Sequence, residues 1–410
     1  MIAAKWNRVP LPDAYVFQEG PGVRKWQFTS DGIKLLNVAN IEKSGHLNLN
    51  KTDRHLATEE VENRYKHFLL DDGDLVIASS GISFDADGLL RTRGAFVSAE
   101  HLPLCLNTST IRFKAKEDVS DLSFLRHWIN GYEFRQQITQ RVTGSAQQNF
   151  GPTHLKSLKI SLPPLSEQKR IAEILDRAEA LRSQRRAALA LLDELTQSIF
   201  LDMFGDPKVN PRGWRCLPFS ELFREKPNYG TMIPGVGERK RWLCMRVANI
   251  QNWHIDLSDQ KFVDLPSNMI SRHCVEPGDI LLARAIATRE QLGKAIVVPN
   301  GTQDWAFDSH LMRLRFDQEK VLPSFVRHTL MTNGGRSLFL RVTRRSAVQF
   351  NINTKEIAKL SIPVPPIEQQ LKFQKRLTGL TELKQCLQES LDTIGSLLSS
   401  LQQRAFRGEL

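Results

Sequence analysis

The chain says almost the same thing twice. SLPPLSEQKR at 161–170 returns as SIPVPPIEQQ at 361–370, each time ahead of a long stretch of helix-forming residues. Laid against itself, the sequence repeats from one end to the other. Trp6, Val9 and Pro10 match Trp214, Leu217 and Pro218; VANI at 38–41 recurs at 247–250; GDLVIA at 73–78 becomes GDILLA at 278–283. FLRHWI at 124–129 matches FVRHTL at 325–330, RVT at 141 recurs at 341, SAQQ at 145 matches SAVQ at 346, and Pro163 and Pro164 match Pro365 and Pro366. The order never breaks, and the offset stays between 200 (Arg141 to Arg341) and 209 (Val38 to Val247). This is a tandem duplication with units of roughly 1–205 and 206–410. A repeat of that length is a domain, because solenoid modules have periods of about 20–50 residues.

Within each copy, short apolar runs (LVIASS, CLNTSTIRF; ILLARA, LMRLRF) alternate with Gly, Pro and Asn turn signals and one or two helices around SFLRHWINGYEFRQQI and SFVRHTLMTNGGRSLF. That pattern predicts a compact α+β domain. From Ser166 to Met203 and from Glu368 to Phe406 there is no proline and little glycine. Both stretches follow a Pro-Pro pair, which disfavours helix before it and suits a helix start after it.

These stretches carry heptads. Ile171, Ala178, Arg185, Leu192 and Ile199 form one row, and Ile174, Leu181, Ala188 and Leu195 the other. Adding 202 to the first row gives Phe373, Leu380, Leu387, Ile394 and Leu401; the second becomes Arg376, Leu383, Ser390 and Leu397, partly compensated by Leu377 and Leu391. Each helix spans about 55 Å at 1.5 Å per residue, more than one small domain covers. The seam therefore predicts that the two helices pair as an antiparallel coiled coil, with a pseudo-two-fold axis and one domain at each end. The alternative is two independent amphipathic helices, each packed on its own domain.

Lys and Arg total 56 against 45 Asp and Glu, for a net charge of +11, which favours polyanions and above all nucleic acid. No window approaches the ~18 consecutive apolar residues of a membrane span, and the start MIAAKWNRVPL has no leader pattern, so a cytoplasmic protein is expected. Cys105, Cys216, Cys244, Cys274 and Cys386 lie far apart without a C-x-x-C pair and read as reduced, mostly buried thiols; no metal is expected.

The residues of an enzyme do not present themselves. The Pro-Pro pairs follow Leu162 and Val364, not the Asn or Asp of an amino-methyltransferase motif; GVG at 235–237 is a lone pair of glycines in a basic loop; no Walker A sequence occurs. Asp206, Pro207 and Lys208 end like a nuclease motif but sit in GDPKVNPRGW, a linker by composition, where Asp-Pro reads as a turn. Catalysis is expected from a partner, with no catalytic residue and no cofactor here.

At this point the chain resembles a known family, the specificity (S) subunits of type I restriction-modification systems. The resemblance covers essentially the whole chain and rests on the duplicated PPLSEQKRI and PPIEQQ helix starts, on SIFLDMFGDPKVNPRGW joining the halves, and on the ending LLSSLQQRAFRGEL. PPIEQQ departs from the pattern by lacking one spacing residue before its Glu. The resemblance implies target recognition domains at 1–162 and 206–362, a central helix at 163–205 and a distal helix at 363–410. It also implies a non-catalytic subunit that selects a bipartite target in double-stranded DNA, docks two methyltransferase subunits, joins restriction subunits through the complex, and has no membrane partner. The methyltransferase then modifies adenine N6. A coiled-coil scaffold that binds nucleic acid without sequence preference is the alternative.

Residues identical in both copies cannot read two different half-sites. Arg141 and Arg341, Ser145 and Ser346, Gln148 and Gln349 are expected at phosphates or in the fold itself. Base readers are expected where the copies diverge and basic or amide side chains cluster. These are Lys51, Arg54, Arg91 and Arg93 in the first copy, and Arg239, Lys240, Arg241, Arg284, Arg289, Gln291 and Lys294 in the second. The outer faces of the helices, with their ends near Phe204 and Phe406, are candidate docking ground; equally, those phenylalanines could staple each helix end to a domain.

Overall fold

The computed structural model describes residues 6–410 except 43, 86–87, 143–148, 252, 287–292, 303 and 346–349. It divides into two compact units, Met1–Arg186 with Glu389–Leu410, and Ala187–Gln388.

In the first unit, four antiparallel strands lie in the order Tyr15–Glu19, Thr110–Ala115, Leu75–Ala78 and Gly94–Phe96. The apolar run LVIA is buried at every position, as an unbroken hydrophobic strand requires. Phe124, Leu125, Trp128 and Ile129 of the helix Leu122–Asn130 pack on this sheet with Phe134 and Ile138 of Tyr132–Thr139. A smaller sheet sets Ile33–Leu35 parallel to Leu104–Cys105 and antiparallel to His55–Leu56. The strand Asn7–Pro10 closes the unit on Lys159–Leu162.

The second unit repeats the plan. Its four strands run Phe223–Tyr229, Leu311–Phe316, Ile280–Ala283 and Ala295–Val297. Its smaller sheet sets Trp242–Met245 parallel to Trp305–Phe307 and antiparallel to Phe262–Val263, and Cys216–Pro218 pairs with Ser361–Pro363. The duplication read from motifs is thus a duplication of topology.

The repeated motifs turn out to be buried polar anchors. In each GD pair the aspartate is buried: Asp279 receives Arg315 through two bonds (Nε to Oδ1 2.7 Å, Nη2 to Oδ2 2.8 Å), and Asp74 lies 3.6 Å from Arg112. In each VAN the asparagine is buried and ties its loop: Asn40 Nδ2 donates to the Asn48 carbonyl, and Asn249 Nδ2 to those of Asp256 and Asp259. In each helix start a glutamine is fully buried. Gln168 Oε1 accepts from the Asp121 N–H (2.9 Å), and its Nε2 donates to the carbonyls of Val119 (2.9 Å) and Pro163 (2.8 Å). Gln370 accepts from the Leu322 N–H (2.8 Å) and donates to Pro365 (2.8 Å) and Lys320 (3.4 Å). The missing residue in PPIEQQ is therefore no departure: both motifs align on the glutamine, not on the glutamate. A buried amide must find partners, and three loop backbone groups supply them.

The long helices run Leu165–Phe204 and Ile367–Arg407. Each stops at a glycine in the left-handed region, Gly205 (φ 76°) and Gly408 (φ 74°), where a side chain would be strained. In the first unit, Ile171, Ala172, Leu175 and Ala178 from the start of one helix share a core with Leu398, Leu401 and Ala405 from the end of the other. In the second unit, Phe200 and Phe204 from the end of the first helix share a core with Phe373 and Leu377 from the start of the second. In both units a helix start meets a helix end, so the pairing is antiparallel.

The register of the seam needs correction. Its first row stands except at Arg185, which is exposed: Ile171, Ala178 and Phe373 are buried and Leu192, Ile199, Leu380, Leu387, Ile394 and Leu401 partly so. Ile174 is only half-buried, and Leu181, Leu195, Leu383 and Leu397 are 44–53% exposed. The second row lies one residue later, at Leu175, Arg182, Leu189, Thr196 and Met203, and at Leu377, Lys384, Leu391, Leu398 and Ala405, none of them exposed. Arg182, Thr196 and Lys384 hid it from a count of apolar residues. Lys384 is held there by Asp193 Oδ1 (2.6 Å) and Thr196 Oγ1 (3.4 Å), and its aliphatic stem can line the seam while its charge is paired.

Of the cysteines, Cys216 and Cys386 are exposed, while burial pushes the Cys105 and Cys244 thiols up to about 12. Among the described residues no helix is long and apolar enough to cross a membrane.

Candidate nucleic-acid interface

The central sheet places one hairpin at the equivalent edge in both units. It leaves the strand Leu75–Ala78 and returns at Gly94–Phe96; in the second unit it leaves Ile280–Ala283 and returns at Ala295–Val297. Residues 79–93 and 284–294 are thus equivalent loops, and Arg91, Arg93, Arg284 and Lys294 all fall on them. Arg289 and Gln291, between Arg284 and Lys294 in sequence, lie outside the described residues, as do Ser145, Gln148, Ser346 and Gln349.

In the first unit the hairpin borders a cavity of about 260 Å³ lined by Ser83, Asp85, Arg91, Arg93, Asn130 and Arg135. Arg91 is exposed and Arg93 half-buried, and among the described residues neither has a carboxylate partner. Arg135 is fixed by Asp85 and by the Leu90 carbonyl (Nε, 3.1 Å). Sequence reading missed Arg135 and Asn130 because they belong to the helical segments after the sheet; only the fold brings them to the hairpin. In the second unit Arg284 lies with its guanidinium 4.6 Å from the Tyr229 ring centroid. Lys294 is 7% exposed, and burial lowers its pKa, so it is withdrawn from the candidate base readers.

The remaining basic residues flank the smaller sheet on different loops. Lys51 is paired with Glu42 (2.8 Å), whose carboxyl is held down by that bond; Arg54 donates to Asn37 Oδ1 (3.2 Å) and lies over Phe28. Arg239 is exposed, Lys240 meets Glu238 at 3.3 Å, and Arg241 lies over Trp242. Arg141 is spent on the fold, donating to the Gln137 carbonyl (2.7 Å) and Ser157 Oγ (2.9 Å), whereas its counterpart Arg341 is exposed. Asp206 is a turn residue: its Oδ1 accepts from the Lys208 N–H at 2.7 Å. Phe204 and Phe406 are packed inward, Phe204 against Phe325 and Phe373 in the second unit and Phe406 against Phe124 in the first. Each staples a helix end to the α+β fold of the other copy.

Among the described residues one grouping has metal-like spacing, His127, Asp176 and Glu179 within 4.8 Å. It already holds a cation, since Arg126 pairs with both carboxylates (3.1 Å to Glu179) and His127 Nε2 meets Asp176 Oδ1 at 2.8 Å. The equivalent His328 faces a different field. Its Nδ1 donates to the Ser324 carbonyl (2.7 Å), its Nε2 faces Arg327 (3.3 Å), and burial pushes it down to about 3. A histidine kept neutral this way leaves stability flat above its unfolded pKa of 6.5 and drains it as pH falls toward 3, because only the unfolded chain then takes the proton. Between about pH 7 and 5 the loss from this group should be about 2 kcal/mol. Denaturant unfolding of the parent and of His328→Asn at both pH values should show that share of the slope vanish in the variant.

Two copies of one α+β unit, each with an equivalent hairpin carrying its own basic residues, make a duplicated fold. Residues 28–191 match the family described as Type I restriction modification DNA specificity domain. Over 308 residues the chain is 23% identical to the Type I restriction enzyme EcoKI specificity subunit of Escherichia coli (strain K12), covering 70% of this chain and 65% of that one. It thus spans just under two thirds of that relative's length. Among solved structures, a chain from a study of complex assembly in a type I R-M system is 17% identical, with a TM-score of 0.59 and coverage of 100% of both chains. The S subunit of the type I restriction-modification system from M. genitalium is 13% identical, with a TM-score of 0.57 and coverage of 99% of this chain and 97% of that one. The resemblance to type I specificity subunits therefore stands, in sequence over residues 28–191 and in fold along the whole chain.

Proposed function

We propose that this chain is the DNA sequence-specificity subunit of a type I restriction-modification complex. It catalyses nothing itself; it selects a bipartite target in double-stranded DNA, and the length of its paired helices sets the unread gap between the half-sites. The observation that carries this reading is the shared hairpin. One framework is used twice while the loop at its edge is rewritten, from Arg91 and Arg93 to Arg284, Arg289 and Gln291, as two readers of different sequences require. Lys51, Arg54 and Arg239 to Arg241 are assigned to the same surfaces, and Arg141 and Arg341 to the fold and a phosphate contact.

The outer faces of the long helices support the partner reading. Leu181 and Leu195 and their counterparts Leu383 and Leu397 are exposed at matching positions, an apolar repeat suited to two copies of one partner, the methyltransferase subunits. Restriction subunits join through that complex.

A footprint on genomic target DNA tests the reading. Two short protected blocks with an open gap are expected; uniform protection with one salt slope would instead establish the scaffold that binds without sequence preference. Removing one heptad from each helix shortens the pair by about 10 Å, so the gap should contract by about 3 base pairs with both half-sites intact. An unchanged gap would rule out the helices as its measure.

A further inference from the structure

The duplication supplies its own control for one site. In the first unit the pair Arg126 and His127 is neutralised from the long helix by Asp176 and Glu179. In the second unit the pair is kept as Arg327 and His328, but the two acids are replaced, at an offset of 202, by Thr378 and Thr381. Both hydroxyls are spent on their own helix, Thr378 Oγ1 on the Gln374 carbonyl (3.1 Å) and Thr381 Oγ1 on that of Leu377 (2.8 Å). Arg327 donates to the Trp253 carbonyl and lies 3.3 Å from His328; among the described residues it has no ion-pair partner. Burial without a counter-charge pulls its guanidinium down to about 10.

The lost acids leave space as well as charge. A cavity of about 820 Å³ opens where they would stand, bordered by Arg327, His328, Ser324, Thr378 and Thr381, with Trp253 on its wall. Ser324 Oγ is buried there without a hydrogen-bond partner among the described residues. His254 also borders the cavity; among the described residues Glu382 lies on its wall without an ion pair to Arg327, and the ammonium of Lys384 nearby is paired with Asp193. A recessed cation is normally paired, and a cavity of this size that sets an open polar group among apolar walls has the physical character of a ligand site.

We infer that the second unit binds an anionic small molecule, its carboxylate or phosphate seated on Arg327 and Ser324 where the first unit carries its own carboxylates. The anion replaces the charge that Asp176 and Glu179 provide to the other copy, and the cavity holds the rest of the molecule. Arg327 is recessed between its own helix and the long helix, so a small molecule reaches it where a duplex backbone does not.

The test uses the full chain with inorganic phosphate and, separately, acetate, followed by titration calorimetry. At least one probe should bind saturably, and the one that does identifies the anion chemistry. Thr378→Asp combined with Thr381→Glu plants the first unit's acids in the second; it should weaken that binding at least tenfold and raise the thermal midpoint, so lost binding cannot be laid to misfolding. Arg327→Gln should weaken it similarly. No saturable binding of either probe, or binding undiminished in the double variant, would overturn the site. Displacement of bound phosphate by duplex DNA would assign the anion to the DNA backbone and overturn the small-molecule reading. Footprints of the same variants report on DNA selection separately.

Discussion

Replacing Gln370 with leucine is expected to cost about 3 kcal/mol of stability, more than a single hydrogen bond is worth, because leucine fills the space and answers none of the three backbone groups. The Leu322 N–H and the Pro365 carbonyl would stay buried with their partner gone, and the part-buried Lys320 carbonyl would lose its donor. Gln168→Leu should behave alike in the first unit, stranding the Asp121 N–H and the carbonyls of Val119 and Pro163. Equilibrium unfolding in urea measures both. A loss under about 1 kcal/mol would mean that water replaces the amide and that the anchor has no structural weight.

The second large effect is expected at Phe373. Its ring meets Phe200 at 5.4 Å, Phe204 at 5.4 Å and His328 at 5.2 Å, all near perpendicular, and its side chain is fully buried. Truncation to alanine removes the hub of an aromatic cluster that unites the end of one long helix, the start of the other and the helix Pro323–Met331, a loss of about 3–5 kcal/mol. The decisive readout is where the damage lies. Hydrogen exchange should rise at residues 196–204 as well as around 373, since the first helix loses the surface that holds its end. Exchange confined to the neighbourhood of 373 would show that Phe200 and Phe204 are held by Phe325 alone.

The sequence showed the duplication and the antiparallel helix pair because both are carried by many residues in order. It misled where one residue type was asked to carry the signal. Leucine was taken to mark the seam, yet Leu181, Leu195, Leu383 and Leu397 face outward while Thr196 and Lys384 sit inside. Polar residues can occupy a seam when their heads find partners, and no count of apolar positions reveals such a pair in advance. The same holds for the motifs: GD, VAN and the glutamine of the helix start repeat because the framework needs buried polar anchors, so what the copies share reports on folding. The divergent basic residues were legible as candidates, but that Arg91 and Arg284 lie on one equivalent hairpin followed only from strand order. Arg135 and Lys294 show the limit, one brought to the hairpin and one buried by packing that no local pattern encodes.

Because the first compact unit closes with residues 389–410, it cannot be finished on the ribosome before the second unit has been made. Its sheet and its own helix emerge early, yet Leu398 and Ala405 join the core of Ile171 and Leu175 only after the whole second unit has been made. The second unit, bounded by 187 and 388, has all its parts sooner and can fold first. A chain that halts within residues 389–410 therefore damages the unit it began with.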